Sequence, residues 1–183
     1  MRRDLVERAM AGDLGAFTEL ARLSIDRLYV VARLILRDSD QAEDATQEGL
    51  VAAWRDIAGL RDPDRFEPWL RRLVVHACYH EARKDRRRMH YEGQVKPLDD
   101  GVRDPASALA DRDEIERGFR RLDPEQRALI VLHYYLGLPM TETALALGVP
   151  VGTVKSRLHR TTQQMRAALE ADARLPLTEG QPT

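Results

Sequence analysis

The residues best suited to chemistry lie between Gly137 and Arg160, where Lys155, Ser156, Arg157, His159 and Arg160 follow a short apolar segment and a turn. Cations and a hydroxyl at this spacing suit recognition: guanidinium, ammonium and hydroxyl groups donate to phosphate oxygens and base edges when an apolar stripe holds their helix in place. Val154, Leu158 and Met165 recur at helical spacing and supply that stripe, and Thr153 is placed to cap the start of the helix. Ahead of it, Leu145 and Leu147 precede Gly148, which can end a helix in the left-handed conformation, and Val149-Pro150 redirects the chain. Helix, tight turn and cationic helix together make a helix-turn-helix pattern. From this window alone, a packed helical hairpin with a solvated face is the competing reading.

Other chemistry is poorly supplied. His76 and His80 are four residues apart, on one face of a helix as a metal pair requires, but no third ligand has suitable spacing. Cys78 points to another side of that helix, and Lys84 stands where an HExxH motif needs its second histidine. There is no Gly-rich phosphate loop, no pair of carboxylates in an apolar setting and no nucleophile with a base. The expectation is therefore no metal, no cofactor and no enzymatic activity.

The elements that position these residues read as all-α, in two small helical domains joined by a flexible linker. Residues 1–90 form the first unit. Its opening helix, Asp4 to Ala11, stops at Gly12, and Asp13 caps a longer helix whose buried face is Phe17, Leu20, Ser24, Leu28, Val31 and Ile35. Asp38, Ser39 or Asp40 caps the next, which sets Asp44, Gln47, Glu48 and Val51 on one face and the small residues Ala42, Ala45, Gly49 and Ala53 on another. By spacing alone the first of these is a solvated acidic face. A turn-rich loop from Gly59 to Arg65 leads to a helix anchored by Phe66 and Trp69, with Leu70, Leu73, Val74, Ala77 and Cys78 apolar. Residues 91–106 read as linker, 107–171 as the second unit and 172–183 as a frayed tail. In the second unit Asp123-Pro124 caps a helix with Leu129, Ile130, Leu132, Tyr135 and Leu136 buried, and Thr141 is placed to cap the helix after Pro139.

The net charge is −1, so no uniform basic coat exists, yet the charges are blocked. Between Asp38 and Glu48 there are five carboxylates and no lysine or arginine; between Arg71 and Tyr91, seven arginines and lysines face two carboxylates. Such a layout suits a protein that meets a polyanion with one surface and a different partner with another. No stretch approaches the roughly 20 apolar residues of a membrane span, and MRRDLVERAM is charged where a signal peptide would be apolar. A cytoplasmic location without membrane insertion is expected. Cys78, the single cysteine, is expected to be a small buried hydrophobe.

Leu122, Pro124, Gln126 and Arg127, then Gly137, Glu142, Ala144, Leu147 and Gly148, and the run VGTVKSRLHR from Val151 to Arg160 closely resemble the C-terminal promoter-binding domain of bacterial extracytoplasmic-function sigma factors. Gly12, Asp13, Ala16, Phe17 and Leu20 resemble the opening motif of the same family, and the likeness extends over roughly nine-tenths of the chain. The resemblance implies two partners, core RNA polymerase and promoter DNA. Gln41 to Trp54 is similar to the segment that docks on the polymerase clamp helices, which makes Asp44, Gln47, Glu48 and Val51 the implied polymerase contacts; the polymerase flap is a further implied contact. Arg65, Trp69, Arg72, His76, His80, Arg83, Lys84 and Arg87 become the implied minus-ten contacts, where an unstacked base is captured. Thr153, Lys155, Ser156, Arg157, His159 and Arg160 become the minus-thirty-five contacts. The family is often held by anti-sigma proteins, a further implied partner. His76 and His80 depart from its usual Asn and Asp. A helix-turn-helix regulator that acts without polymerase, or an inactive sigma-like interaction module, are the alternative functions.

Overall fold

The structure is a computed structural model that describes residues 2–92 and 116–173. Seven helices account for most of it: α1 (Arg2–Met10), α2 (Leu14–Leu36), α3 (Ser39–Asp56), α4 (Phe66–Glu92), α5 (Pro124–Ile130), α6 (Met140–Leu147) and α7 (Val151–Ala173). No strand occurs among the described residues. The expected linker core and most of the tail lie outside them; α4 runs two residues past the expected boundary.

Side-chain caps fix the helix starts. Asp13 Oδ1 accepts from the Ala16 amide at 3.0 Å and opens α2, and Asp38 Oδ1 does the same for Gln41 and α3. At α5 the cap is reciprocal: Asp123 accepts from the Gln126 amide (2.8 Å) while the Gln126 side chain accepts from the Asp123 amide (3.0 Å), with Pro124 in the first turn. Arg37 closes α2 in the left-handed region (φ 61°), the one non-glycine there among the described residues.

The α2 face of Phe17, Leu20, Ser24, Leu28, Val31 and Ile35 is buried as its spacing predicts. Trp54 of α3 stacks at a tilt on Phe17, ring centroids 5.1 Å apart. The small-residue face of α3 meets α4 at very short range. A Cβ on Gly49 would lie 2.6 Å from Val74 Cγ2 and 3.0 Å from Val74 Cα, so only glycine permits this approach. Cys78 is fully buried beside this contact region, and desolvation pushes its thiol up to about 12.

Two expectations about α5 and α6 are corrected. Tyr135 is exposed, not buried, because α5 continues into one wide turn, Val131–Tyr135, in which the Leu136 amide donates to the Val131 carbonyl five residues back. The extra residue rotates Tyr135 off the face that Leu129 and Leu132 bury. Thr141 does not cap: α6 starts at Met140, where the Pro139 carbonyl accepts from Thr143. Thr143 is itself fully buried. Gly148 ends α6 at φ 68°, as its position predicts, and Leu147 is buried whereas Leu145 is exposed.

The two units share one hydrophobic cluster. α6 packs on α4, and α5 packs on α2 and α4. Replacing Gly49 tests the closest helix contact. G49A gains up to about 1 kcal/mol of helix propensity but overpacks Val74 by about 1 to 3 kcal/mol. Urea unfolding is expected to show a net loss for G49A and a larger one for G49V.

Candidate nucleic-acid interface

The cationic helix of the second unit is α7. Val154 and Leu158 are buried against α5 and α6, and that anchoring leaves Lys155, Ser156, Arg157, His159 and Arg160 exposed along one side. Thr153 is not the cap. α7 begins two residues earlier, with the Pro150 carbonyl accepting from the Thr153 and Val154 amides at 2.9 and 3.2 Å, and Thr153 is half-buried inside the first turn. Ser156 Oγ donates to the Thr153 carbonyl (3.0 Å), and His159 Nε2 lies 3.0 Å from Gln163 Nε2. Arg157 reaches back to Glu125 at the start of α5, with Nη1 and Oε2 3.6 Å apart. That partner is 32 residues away in sequence, and no spacing signal announces it.

On α4, Arg72, His76, His80, Arg83, Lys84 and Arg87 are exposed, Trp69 is half-buried against Phe66, and Arg65 precedes the helix beside Asp62 (3.6 Å). The helix therefore carries a basic flank opposite the side buried by Phe66, Leu70, Val74 and Cys78. His76 is held below the ordinary imidazole range by desolvation first, then by the cations Arg72 and Arg83. Its Nε2 lies 3.4 Å from where a Cβ on Gly148 would stand, so the turn of the helix-turn-helix abuts the ring. Burial raises the Tyr79 phenol, and Glu125 adds to the rise. Sequence spacing does not mark Tyr79, which is half-buried with its ring edge-on to His76 (centroids 6.2 Å).

On α3, Asp44, Gln47, Glu48 and Val51 are all exposed on one face, and Gln47 donates to Glu43 at 3.2 Å. Val51 is 66% exposed, an apolar side chain among polar neighbours. Glu48 Oε2 lies 3.3 Å from His80 Nδ1, which joins the edge of this face to the flank of α4. Glu48, His80 and Glu81 present ligand atoms within 4.8 Å of one another, but Lys84 already neutralises Glu81 at 3.3 Å.

Two stretches match known families of sequence: Sigma-70 region 2 over residues 20–88 and Sigma-70 region 4 over residues 112–165. The ECF RNA polymerase sigma factor SigM of Mycobacterium tuberculosis is 34% identical over 168 residues, covering 91% of this chain and 83% of that protein. The chain belongs to the extracytoplasmic-function sigma factor family. SigW of Bacillus subtilis is 27% identical over 176 residues, 90% of this chain and 94% of its own. Among solved structures, CnrH in complex with the cytosolic domain of CnrY is 28% identical, with a TM-score of 0.64 and coverage of 93% of this chain and 98% of that one. This sigma factor is a transcription initiation factor, a protein that directs RNA polymerase to promoters.

The charge environment of His76 is open to direct measurement. Because its neutral form is favoured, the ring is expected to titrate below pH 6.5 in an NMR titration, and R72A, which removes the larger of the two repelling charges, should move the midpoint upward. Linkage has a matching sign. Native stability from this group is complete above pH 6.5 and declines as pH falls towards the lower midpoint of the folded state.

Proposed function

We propose that the sigma factor divides its task between its two units. Residues 1–90 bind core polymerase through Asp44, Gln47, Glu48 and Val51 and open the minus-ten element along Arg65, Trp69, Arg72, His76, His80, Arg83, Lys84 and Arg87. Residues 107–171 read the minus-thirty-five element as duplex, with Thr153, Lys155, Ser156, Arg157, His159 and Arg160 on the groove side. The observation that carries this reading is the placement of an acidic-polar face and a basic flank on the tightly apposed helices α3 and α4, with a second cationic helix, α7, held by α5 and α6. Single-strand capture needs a cationic track beside fitted pockets, whereas duplex readout needs a helix that enters a groove.

The acidic-polar face suits a basic partner such as a coiled coil of polymerase, and exposed Val51 supplies an apolar contact among its charges. CnrH, which shares this fold, is seen with the cytosolic domain of CnrY. By that likeness we include an anti-sigma protein among the partners. The reading places the chain in the cytoplasm, where polymerase is; no described helix is long and apolar enough to cross a membrane.

Gel filtration with bacterial core RNA polymerase tests the first half. Wild type is expected to co-elute and the triple variant D44A/Q47A/E48A to lose co-elution while keeping its helical circular dichroism. Failure of the folded wild type to co-elute, with no inhibitor bound, would leave a duplex-binding regulator as the better account. For the second half, R157A is expected to cost about 1 to 3 kcal/mol in promoter binding and to relax preference at one position; a uniform loss over all sequences would make Arg157 a phosphate anchor.

A further inference from the structure

We infer that the cleft where α1, α2 and the start of α4 meet binds the phosphate group of a small molecule, at a place that neither polymerase nor promoter is proposed above to use. The cleft encloses about 70 Å³, and Arg2, Arg27 and Arg71 line it together with the Ser24 hydroxyl and one carboxylate, Glu67. Three guanidiniums, one from each helix, thus converge on one small space. Each carries five N–H donors and no acceptor, so an acceptor-rich anion is the group they suit.

The carboxylate is already engaged. Arg2 pairs with Glu67 and donates through Nη2 to Ser24 Oγ at 3.2 Å, while the Ser24 hydroxyl donates to Glu67 at 3.4 Å. Ser24 is buried, which ties this triad to the body of the unit. Arg27 and Arg71 have no hydrogen-bond or ion-pair partner among the described residues. Glu67 and Arg71 stand four residues apart, on one face of α4. The basic flank begins at Arg72, about 100° further round the helix, so the cleft and the flank are separate surfaces.

Half-buried Arg71 carries the electrostatic imbalance. Desolvation and then repulsion by Arg27 lower its guanidinium, and the attractions of Glu67 and Glu142 are too weak to restore it. Val31 and Leu136 add apolar wall, and beside such walls an ion interacts more strongly than on an open surface. An anion between Arg27 and Arg71 would relieve their repulsion. The volume accommodates a compact tetrahedral group. A terminal phosphate brings close to two negative charges and three acceptor oxygens, enough for two guanidinium forks. A phosphate inside a nucleic-acid backbone has one charge and a sugar on either side, and fits the cleft less well.

The test titrates inorganic phosphate, and separately glycerol 3-phosphate, into the full chain at an ionic strength held constant with sodium chloride. Arginine Nε–Hε signals, assigned by substitution, are followed by NMR, with thermal unfolding as a second readout. One saturable site is expected, with the Arg27 and Arg71 signals moving together and the unfolding midpoint rising. R27Q and R71Q should each weaken binding about tenfold, the loss of one charge-assisted contact. E67Q, which removes the carboxylate from the cleft, should tighten it. R22Q, at an exposed arginine of α2 paired with Glu19 outside the cleft, should leave it unchanged.

Tighter binding of glycerol 3-phosphate than of phosphate would identify a phosphorylated metabolite, and equal binding the free ion; both support the site. Shifts no larger than sodium chloride alone produces would overturn it. So would saturable binding that survives R27Q and R71Q but is lost in R83Q/R87Q, since it would then belong to the flank of α4. Should R71Q fail to fold by circular dichroism, R27Q, at an exposed position, still decides. Co-elution with polymerase plays no part in either readout, so this site and the division of function proposed above stand or fall separately.

Discussion

The contact between Gly49 and Val74 sets the geometry on which the first unit depends. With no side chain at Gly49, α3 lies on α4 closely enough that a methyl group would collide with the Val74 backbone. The faces of α3 and α4 turned away from that contact are therefore held in a fixed relation. One carries Asp44, Gln47, Glu48 and Val51, the other carries the basic flank, and the Glu48 to His80 pair spans their shared edge. Movement of either helix would displace both surfaces, so whatever binds one of them meets a support shared with the other.

The fold was legible wherever local chemistry decided it. Asp13, Asp38 and Asp123 cap the helices they precede, Gly148 turns left-handed, and the α2 core face follows its three- and four-residue spacing. Illegible features have non-local or register-breaking causes. Tyr135 escapes because one wide turn shifts the helical period, and Thr141 and Thr153 fail as caps because Pro139 and Pro150 start their helices earlier through backbone carbonyls. Arg127 could be matched to the family's motif, but its bond to Ile35 spans 92 residues, and no pattern within a helix forecasts a partner at that distance. The division into binding surfaces came from the resemblance; residue spacing supplied only the faces.

Some of the side chains proposed above to meet nucleic acid have a carboxylate in reach. Arg157 has Glu125, His80 has Glu48, Arg65 has Asp62 and Lys84 has Glu81. Exposed pairs of this kind add little to stability. Their effect is on competition: a phosphate must displace a carboxylate to reach the same donor, which penalises loose attachment to arbitrary DNA more than a site that engages several donors together. The net charge of −1 is compatible with DNA recognition for this reason.

Cys78 carries a consequence for how signals reach the protein. It is the single sulfhydryl of the chain, shut inside the α3 and α4 core and held in the protonated form far from its reactive thiolate. Oxidants, electrophiles and metals that act on a thiolate thus find none on the folded chain. Where thiol chemistry governs transcription through this factor, its detection takes place in another molecule and arrives here as a change in binding.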